Sequence, residues 1–481
     1  MAKPPWAGTT DLVTRLLVAV CIAMGMSAKP VLAQQGQLDT SFATSGKLVI
    51  PFNLISDGVD RAYDIAVQPD GMIVAAGAAE KLGGTAFAVV RFGPDGTLDP
   101  TFGLGGRTTV AFGFGNPQVD YATAVALDPN GAIYVAGPVT DAVGDMEVGV
   151  ARLDSSGSLD TGFGVGGKAI VPFDLGGISG DLVWDLALQA DGKVLVAGTV
   201  PISSPNVDFG LARLTSAGDP DLTFGSNGLR IVFFDEGGSN GDFAWAVTIQ
   251  PDGKIILVGT VEVGADNTDI GVVRLNSNST NDNTFGTLGK VLIAFDGGGE
   301  DVDIGTDVAL QEDGKIVVVG AAEAANSKMD FAIARINSDG TLDPTFDGDG
   351  KTTVTYDLGG DWEDWVSAVA LNPDGKIVVG GHVDGPNGDR DFGLARFNTD
   401  GTLDPTFGSG GKTTVAFDLV TGGTDNLNGL AVPPSGGIYA AGSVYVANNG
   451  EDIGVAKLIG SVVFGDGFES GSAAAWSTSV P

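Results

Sequence analysis

Cysteine and histidine are almost absent from this chain of 481 residues: Cys21 and His382 are the single examples. The first scarcity excludes a disulfide framework or a thiolate metal centre, and the second excludes a zinc site built from several imidazoles. A serine triad would have to use His382 as its base, and the glycine clusters of the sequence sit between strands rather than at the strand-to-helix turn a nucleophile elbow needs. Positive charge is scarce too, with 25 Lys and Arg against 60 Asp and Glu and a net charge of −35. Such a surface repels phosphate backbones, so nucleic acid is not an expected partner. Long apolar runs are missing. LLVAVCIAMGM at 16–26 is too short to cross a bilayer comfortably, and no integral membrane segment is expected in the mature form.

That short run follows Lys3 and Arg15 and precedes Val31-Leu32-Ala33, which has the small-residue character of a cleavage site. Residues 1–33 therefore read as a signal peptide, and the protein is expected to be secreted, periplasmic or at the cell surface. Cys21 lies inside this segment and follows Val20, where a lipoprotein signal wants a smaller residue, so acylation is not expected.

What the chain has in abundance is glycine, 76 residues of it, and repetition. One phenylalanine returns as Phe42, Phe102, Phe163, Phe224, Phe285, Phe346 and Phe407, spaced by 60 and then by 61. The glycine of a PDG-like turn keeps the same register at Gly71, Gly131, Gly192, Gly253, Gly314, Gly375 and Gly436. So does a basic column, Arg91, Arg152, Arg213, Arg274, Arg335, Arg396 and Lys457. Within a copy, alternating apolar residues bounded by Gly, Asn and Asp read as four short strands: KTTVAF (412–417), LNGLAV (427–432), GIYAAGS (437–443) and IGVAKL (453–458). Tight turns such as QPDG at 250–253 join the second strand to the third. Seven four-stranded units repeated radially make an all-β, seven-bladed β-propeller over residues 34–460. A linear β-solenoid would use shorter coils. How the ring closes stays open, since KLVIPF (47–52) can complete its own blade or pair with the last one.

The phrases NTDGTLDPTFGSGGKTTVAFDL (398–419), PDGKIVV (373–379) and DFGLARFN (391–398) resemble the delta-60 repeat, a β-propeller family of unknown function in exported bacterial proteins. The resemblance covers essentially the whole mature chain and implies fold and export; it carries no activity or site residues. The last stretch, 461–481, breaks the period and reads as a flexible tail. Its GDGFESG phrase is similar to the ends of other exported proteobacterial proteins, which would make it a sorting or surface-retention motif.

The second link and the inter-blade link are nearly constant, whereas the first and third links vary, so one end of the disc is the candidate binding face. Two acidic columns run through all copies. Asp39, Asp99, Asp160, Asp221, Asp282, Asp343 and Asp404 follow the basic column by eight residues on the constant face, as in Arg335 to Asp343. They suit a salt bridge or turn cap at each blade junction, or a metal site. Asp60, Asp120, Asp181, Asp242, Asp303, Asp364 and Asp425 stand at the entry to the second strand. Two readings apply there: each caps its own loop as an Asx turn, or the seven ring a funnel and bind cations, with Ca2+ the candidate. A partial column, Glu147, Asp208, Asp269, Asp330, Asp391 and Asp452, precedes the fourth strand on the same face.

Tryptophan is the most individual feature. Trp184 and Trp245 share a column in adjacent copies, and Trp362 and Trp365 flank Glu363 and Asp364. Tryptophan beside carboxylates on an exposed loop suits sugar stacking, and packing between blades is the alternative. His382 reads as a solvated loop side chain near that face and completes the ligand-binding candidates. The expected function is a non-catalytic binding or scaffold module for polysaccharide or an extracellular protein. A polysaccharide lyase or glycosidase using loop carboxylates is the rival, disfavoured because catalysis needs one asymmetric cluster among the near-identical blades.

Overall fold

The structure, a computed structural model, describes residues 34–460 apart from 56–57, 114–117, 142–143, 172–179, 204–205, 235, 238–240, 266, 296, 298–300, 325–327, 357, 359–363, 386–387 and 448–449. The expectations for residues 1–33, for 461–481, and for Trp362 and Glu363 fall outside the described residues.

Seven antiparallel sheets of four strands form the blades of the propeller, and no helix among the described residues is long and apolar enough to cross a membrane. In the first blade Asp60–Val67 is innermost, followed by Ile73–Lys81, Gly84–Phe92 and the outer strand Arg107–Val110. A short segment, Gln118–Val119, adds a parallel pairing to Gly84–Phe92. The innermost strands of successive blades touch in ring order, and the last, Asp425–Ala431, returns to touch the first.

The blade is thus offset by one strand from the sequence repeat. KTTV at 412–415, the first strand of the last repeat, pairs with Arg390–Phe397 and forms the outer edge of the sixth blade. The same offset settles closure. Lys47–Ile50 pairs with Glu451–Leu458, Leu48 opposite Val455, so the amino-terminal strand completes the seventh blade. Segments from early and late in the sequence then share one sheet, and the outer edge of Glu451–Leu458 is paired rather than left open.

The core lies between blades. One apolar cluster joins Leu195, Phe209 and Phe224 of the third blade to Val247, Leu257 and Val261 of the fourth. The repeat phenylalanines are fully buried in all seven copies, each worth about 1.5–3 kcal/mol of hydrophobic burial. Above each sits the basic column. Arg213 lies 4.2 Å from the Phe224 ring and Arg274 lies 4.5 Å from Phe285.

The constant-face aspartates do both structural jobs expected of them. Pairs from Arg91–Asp99 to Arg396–Asp404, and Lys457–Asp39 at the closure, span 2.5–3.0 Å. The other carboxylate oxygen caps the turn two residues on, as when Thr284 donates to Asp282 from its amide at 3.1 Å and its hydroxyl at 2.7 Å. The remaining guanidinium nitrogen reaches the next blade: Arg274 donates to the Ser338 carbonyl at 2.6 Å, and Arg213 to that of Ser277 at 2.6 Å. One side chain therefore holds its own turn and the junction together.

Candidate functional site

The innermost strands carry a bulge that shapes the axis. Pairing with the second strand slips by one residue at Tyr63, Trp184, Trp245, Thr306, Ser367 and Asn428. A bulged residue leaves the ladder and re-aims its side chain. Opposite stands a glycine that the turn column did not reveal. A Cβ on Gly320 would lie 1.8 Å from the Ile304 carbonyl oxygen, and one on Gly381 would lie 1.7 Å from that of Trp365. Gly77, Gly137, Gly198, Gly259 and Gly442 meet the same obstruction. Only glycine lets the bulge fold this closely onto its neighbour.

The bulge column turns into a cavity of about 320 Å³ on the propeller axis, lined by Tyr63, Thr123, Trp184, Trp245, Thr306, Trp365, Ser367 and Asn428. Trp184 and Trp245 meet across the junction of the third and fourth blades, ring centroids 4.5 Å apart and tilted by 40°. Trp245 Nε1 donates to Thr260 Oγ1 at 3.2 Å. Trp365 comes from the sixth blade, one position after Asp364 and nearer the end where the variable links lie. Three of the four sequence-selected tryptophans thus converge. They do so on strands inside the channel rather than on exposed loops, which corrects the expected setting. For Trp184 and Trp245 the bulge is the physical reason, because it points a strand residue at the axis; Trp365 instead begins its strand in regular pairing, two residues before the bulge at Ser367. The alternative of packing between blades is also met, since Trp184 and Trp245 pack against each other while lining the cavity.

Three carboxylates that sequence reasoning missed share this cavity: Asp64, Asp185 and Asp307. Each follows the bulge and bridges two blades. Asp64 accepts from the amides of Ile65 at 2.7 Å and of Val125 in the next blade at 2.8 Å. Asp185 accepts from Leu186 and Val247, both at 2.7 Å, and Asp307 from Val308 and Val369, both at 2.7 Å. The other junctions use neutral groups, as when Asn428 Nδ2 donates to the Ala62 carbonyl and Thr123 Oγ1 to that of Val183. Removal from bulk water inside the channel pushes Asp64 up to about 7, Asp185 to about 6 and Asp307 to about 8. The two amide bonds on each oppose the shift, while repulsion from Asp185 raises both Asp64 and Asp307. The signal was present in the sequence: the position reads Asp64, Ala124, Asp185, Ala246, Asp307, Ala368, Gly429, an acid in the first, third and fifth copies.

The variable-face column behaves as a backbone clamp. Asp60 accepts from the Phe52 amide at 2.6 Å and the Glu80 amide at 3.3 Å, tying the incoming link to the second strand. Asp120 does the same with Phe112 and Thr140, Asp242 with Phe234 and Glu262, and Asp425 with Phe417 and Tyr445. Asp303 and Asp364 hold Phe295 and Tyr356, and Asp181 is buried like the rest of the column. These are caps reaching eight residues back and twenty forward, longer than the Asx turn expected. Burial raises Asp60, Asp364 and Asp425 to about 6. Among the described residues no three His, Cys, Asp or Glu side chains gather closely enough to hold a metal ion.

His382 stands within strand Ile377–Asp384, opposite Trp365, not on a solvated loop. Burial, with Arg390 nearby, lowers its pKa to about 4, so it is neutral at physiological pH. It lies beside the channel wall but does not line the cavity.

Six stretches, residues 68–102, 129–163, 189–224, 250–285, 311–346 and 372–407, match the profile of the domain of unknown function (DUF5122) β-propeller. Each runs from a PDG-like turn to a repeat phenylalanine, so the resemblance seen in the sequence stands at the level of a propeller repeat family. No curated protein matches the chain. Solved structures of similar arrangement include a protein of unknown function from Dyadobacter fermentans, 11% identical, with 86% of this chain and 98% of that one covered and a TM-score of 0.45. An ulvan lyase of polysaccharide lyase family PL25 is 12% identical, with coverage of 89% and 94% and a TM-score of 0.45. A gluconolactonase from Xanthomonas campestris is 13% identical, with coverage of 71% and 86% and a TM-score of 0.34. Neighbours with such different activities give this chain none of them.

Proposed function

We propose that this chain is an exported, non-catalytic binding module that takes a polysaccharide at the mouth of its axial channel. One observation carries the reading: tryptophans from three different blades converge with three carboxylates on one cavity of about 320 Å³. Indole faces stack on the C–H faces of a sugar ring, and the carboxylates, with the hydroxyls of Thr123, Thr306 and Ser367, meet its hydroxyl groups. The site lies just inside the end where the variable links gather, so those links are placed to choose which chains approach. Export rests on the leader-like residues 1–33.

The test is capture on an immobilised glycan panel by the wild-type protein and by Trp184→Ala, Trp245→Ala and Trp365→Ala. The expected result is loss of capture with a preserved strand spectrum in circular dichroism. Undiminished capture by all three variants overturns the reading.

A second reading, a secreted carbohydrate-active enzyme, draws on Asp307, which carries its proton near neutral pH as a general acid must. Release of new reducing or unsaturated sugar ends from a bound polysaccharide, abolished by Asp307→Ala, would establish it.

A further inference from the structure

The cavity is built unevenly for a neutral sugar. Its walls include the aromatic faces of Tyr63, Trp184, Trp245 and Trp365, its acids are Asp64, Asp185 and Asp307, and among the described residues no Lys or Arg lines it. Two basic groups on neighbouring strands are already paired with acids: Arg61 with Glu451 at 2.5 Å and Arg390, beside His382, with Asp384 at 3.1 Å. Tyr63 and Tyr121, with ring centroids 5.7 Å apart, add aromatic surface beside the acids. We propose that the polysaccharide taken by the channel carries free, protonated amines, as unacetylated glucosamine units do. This rests on the reading of the preceding subsection and narrows it to one class of sugar.

Aromatic faces and carboxylates attract the same kind of partner. The negative face of an indole ring favours a cation, and an ammonium placed among the acids relieves their mutual repulsion. Each carboxylate spends two of its roughly four acceptor positions on backbone amides, which leaves acceptor capacity for N–H donors in the cavity. The three acids do not gather closely enough to hold a bare metal ion, so the cation that suits them is larger and organic.

Binding an ammonium favours the ionised acids, so it should expel protons. With channel carboxyls that titrate near neutral pH, a cation binding there drives deprotonation, and affinity should fall as the medium is acidified.

The experiment is isothermal titration calorimetry on the full chain at physiological ionic strength. A fully unacetylated glucosamine pentasaccharide is compared with its fully N-acetylated counterpart in two buffers of different ionisation enthalpy. The unacetylated oligomer should bind about tenfold more tightly, with a buffer-dependent enthalpy that reports proton release. Asp185→Ala and Asp307→Ala should bring the ratio of the two affinities close to one, whatever each variant loses in binding the acetylated oligomer. Both variants are compatible with the fold, because Ala124, Ala246 and Ala368 already occupy this position in three blades. Equal affinity for the two oligomers overturns the amine requirement and leaves polysaccharide binding standing. Failure of both to bind overturns the two proposals together.

Discussion

Replacing Arg274 by alanine should cost this propeller far more than the same change at Arg152, although the two residues occupy one column of the repeat. Arg274 is buried. It holds Asp282 at 2.8 Å, the Ser338 carbonyl of the next blade at 2.6 Å and the Phe285 ring at 4.5 Å. Its loss strands a carboxylate whose side chain is only 7% exposed, the situation in which breaking a buried pair costs about 3–5 kcal/mol. Lys254, 3.1 Å from the same carboxylate, remains as a partner and holds the cost near the lower end, about 3 kcal/mol. At Arg152 the pair is more open, with Asp160 exposed by 37%, and the penalty should be about 1 kcal/mol. Urea unfolding followed by both tryptophan fluorescence and far-ultraviolet circular dichroism measures both. Coincident transitions license the comparison. Equal, small losses at both positions would refute the view that the buried guanidinium holds the junction.

Four further outcomes follow from the same geometry. Stability should decline as pH rises from about 4 to 8, because Asp64, Asp185 and Asp307 bind protons more tightly folded than unfolded; Asp307→Ala should flatten that slope in thermal melts. Below about pH 4 the trend should reverse, because Asp221, Asp282 and Asp404 are held well below the usual carboxylate range by turn and ion-pair contacts, and His382, with its lowered pKa, acts in the same sense between about 4 and 6.5. Gly320→Ala should cost about 3 kcal/mol, because its Cβ meets the Ile304 carbonyl at 1.8 Å, whereas alanine at Gly348, with no atom within 4 Å, should cost only its left-handed backbone strain of about 1 kcal/mol. Ile50→Ala should lose about 2–5 kcal/mol, as much as Ile293→Ala in the fourth blade; a much smaller loss at Ile50 would mean that the amino-terminal strand does not close the ring.

The propeller was legible because seven copies hold three columns in register, and a period that survives so many copies can only build a radial or linear array. Two things were not legible. KLVI at 47–50 and KTTV at 412–415 are outer strands of the same kind, so local pattern cannot say to which blade either belongs; only ring closure decides. The channel was hidden by the bulge. Trp184 stands three residues past Asp181 at the strand entry, which reads as a loop position, whereas the extra residue in the innermost strand turns it to the axis. Asp64, Asp185 and Asp307 were not legible as a site because their column holds an acid in only three of the seven copies. The ion pairs from Arg91–Asp99 to Arg396–Asp404, by contrast, were readable from an eight-residue spacing alone, because both partners sit on one rigid turn.

The central claim is that ligand enters the axial channel, and the indole N–H signals of the protein test it most directly. In two-dimensional NMR of the labelled chain, titration with the captured glycan should move the Trp184, Trp245 and Trp365 indole resonances while the backbone signals of the variable links stay largely in place. Unmoved channel indoles together with shifted link amides would put the site on the loops and contradict the account.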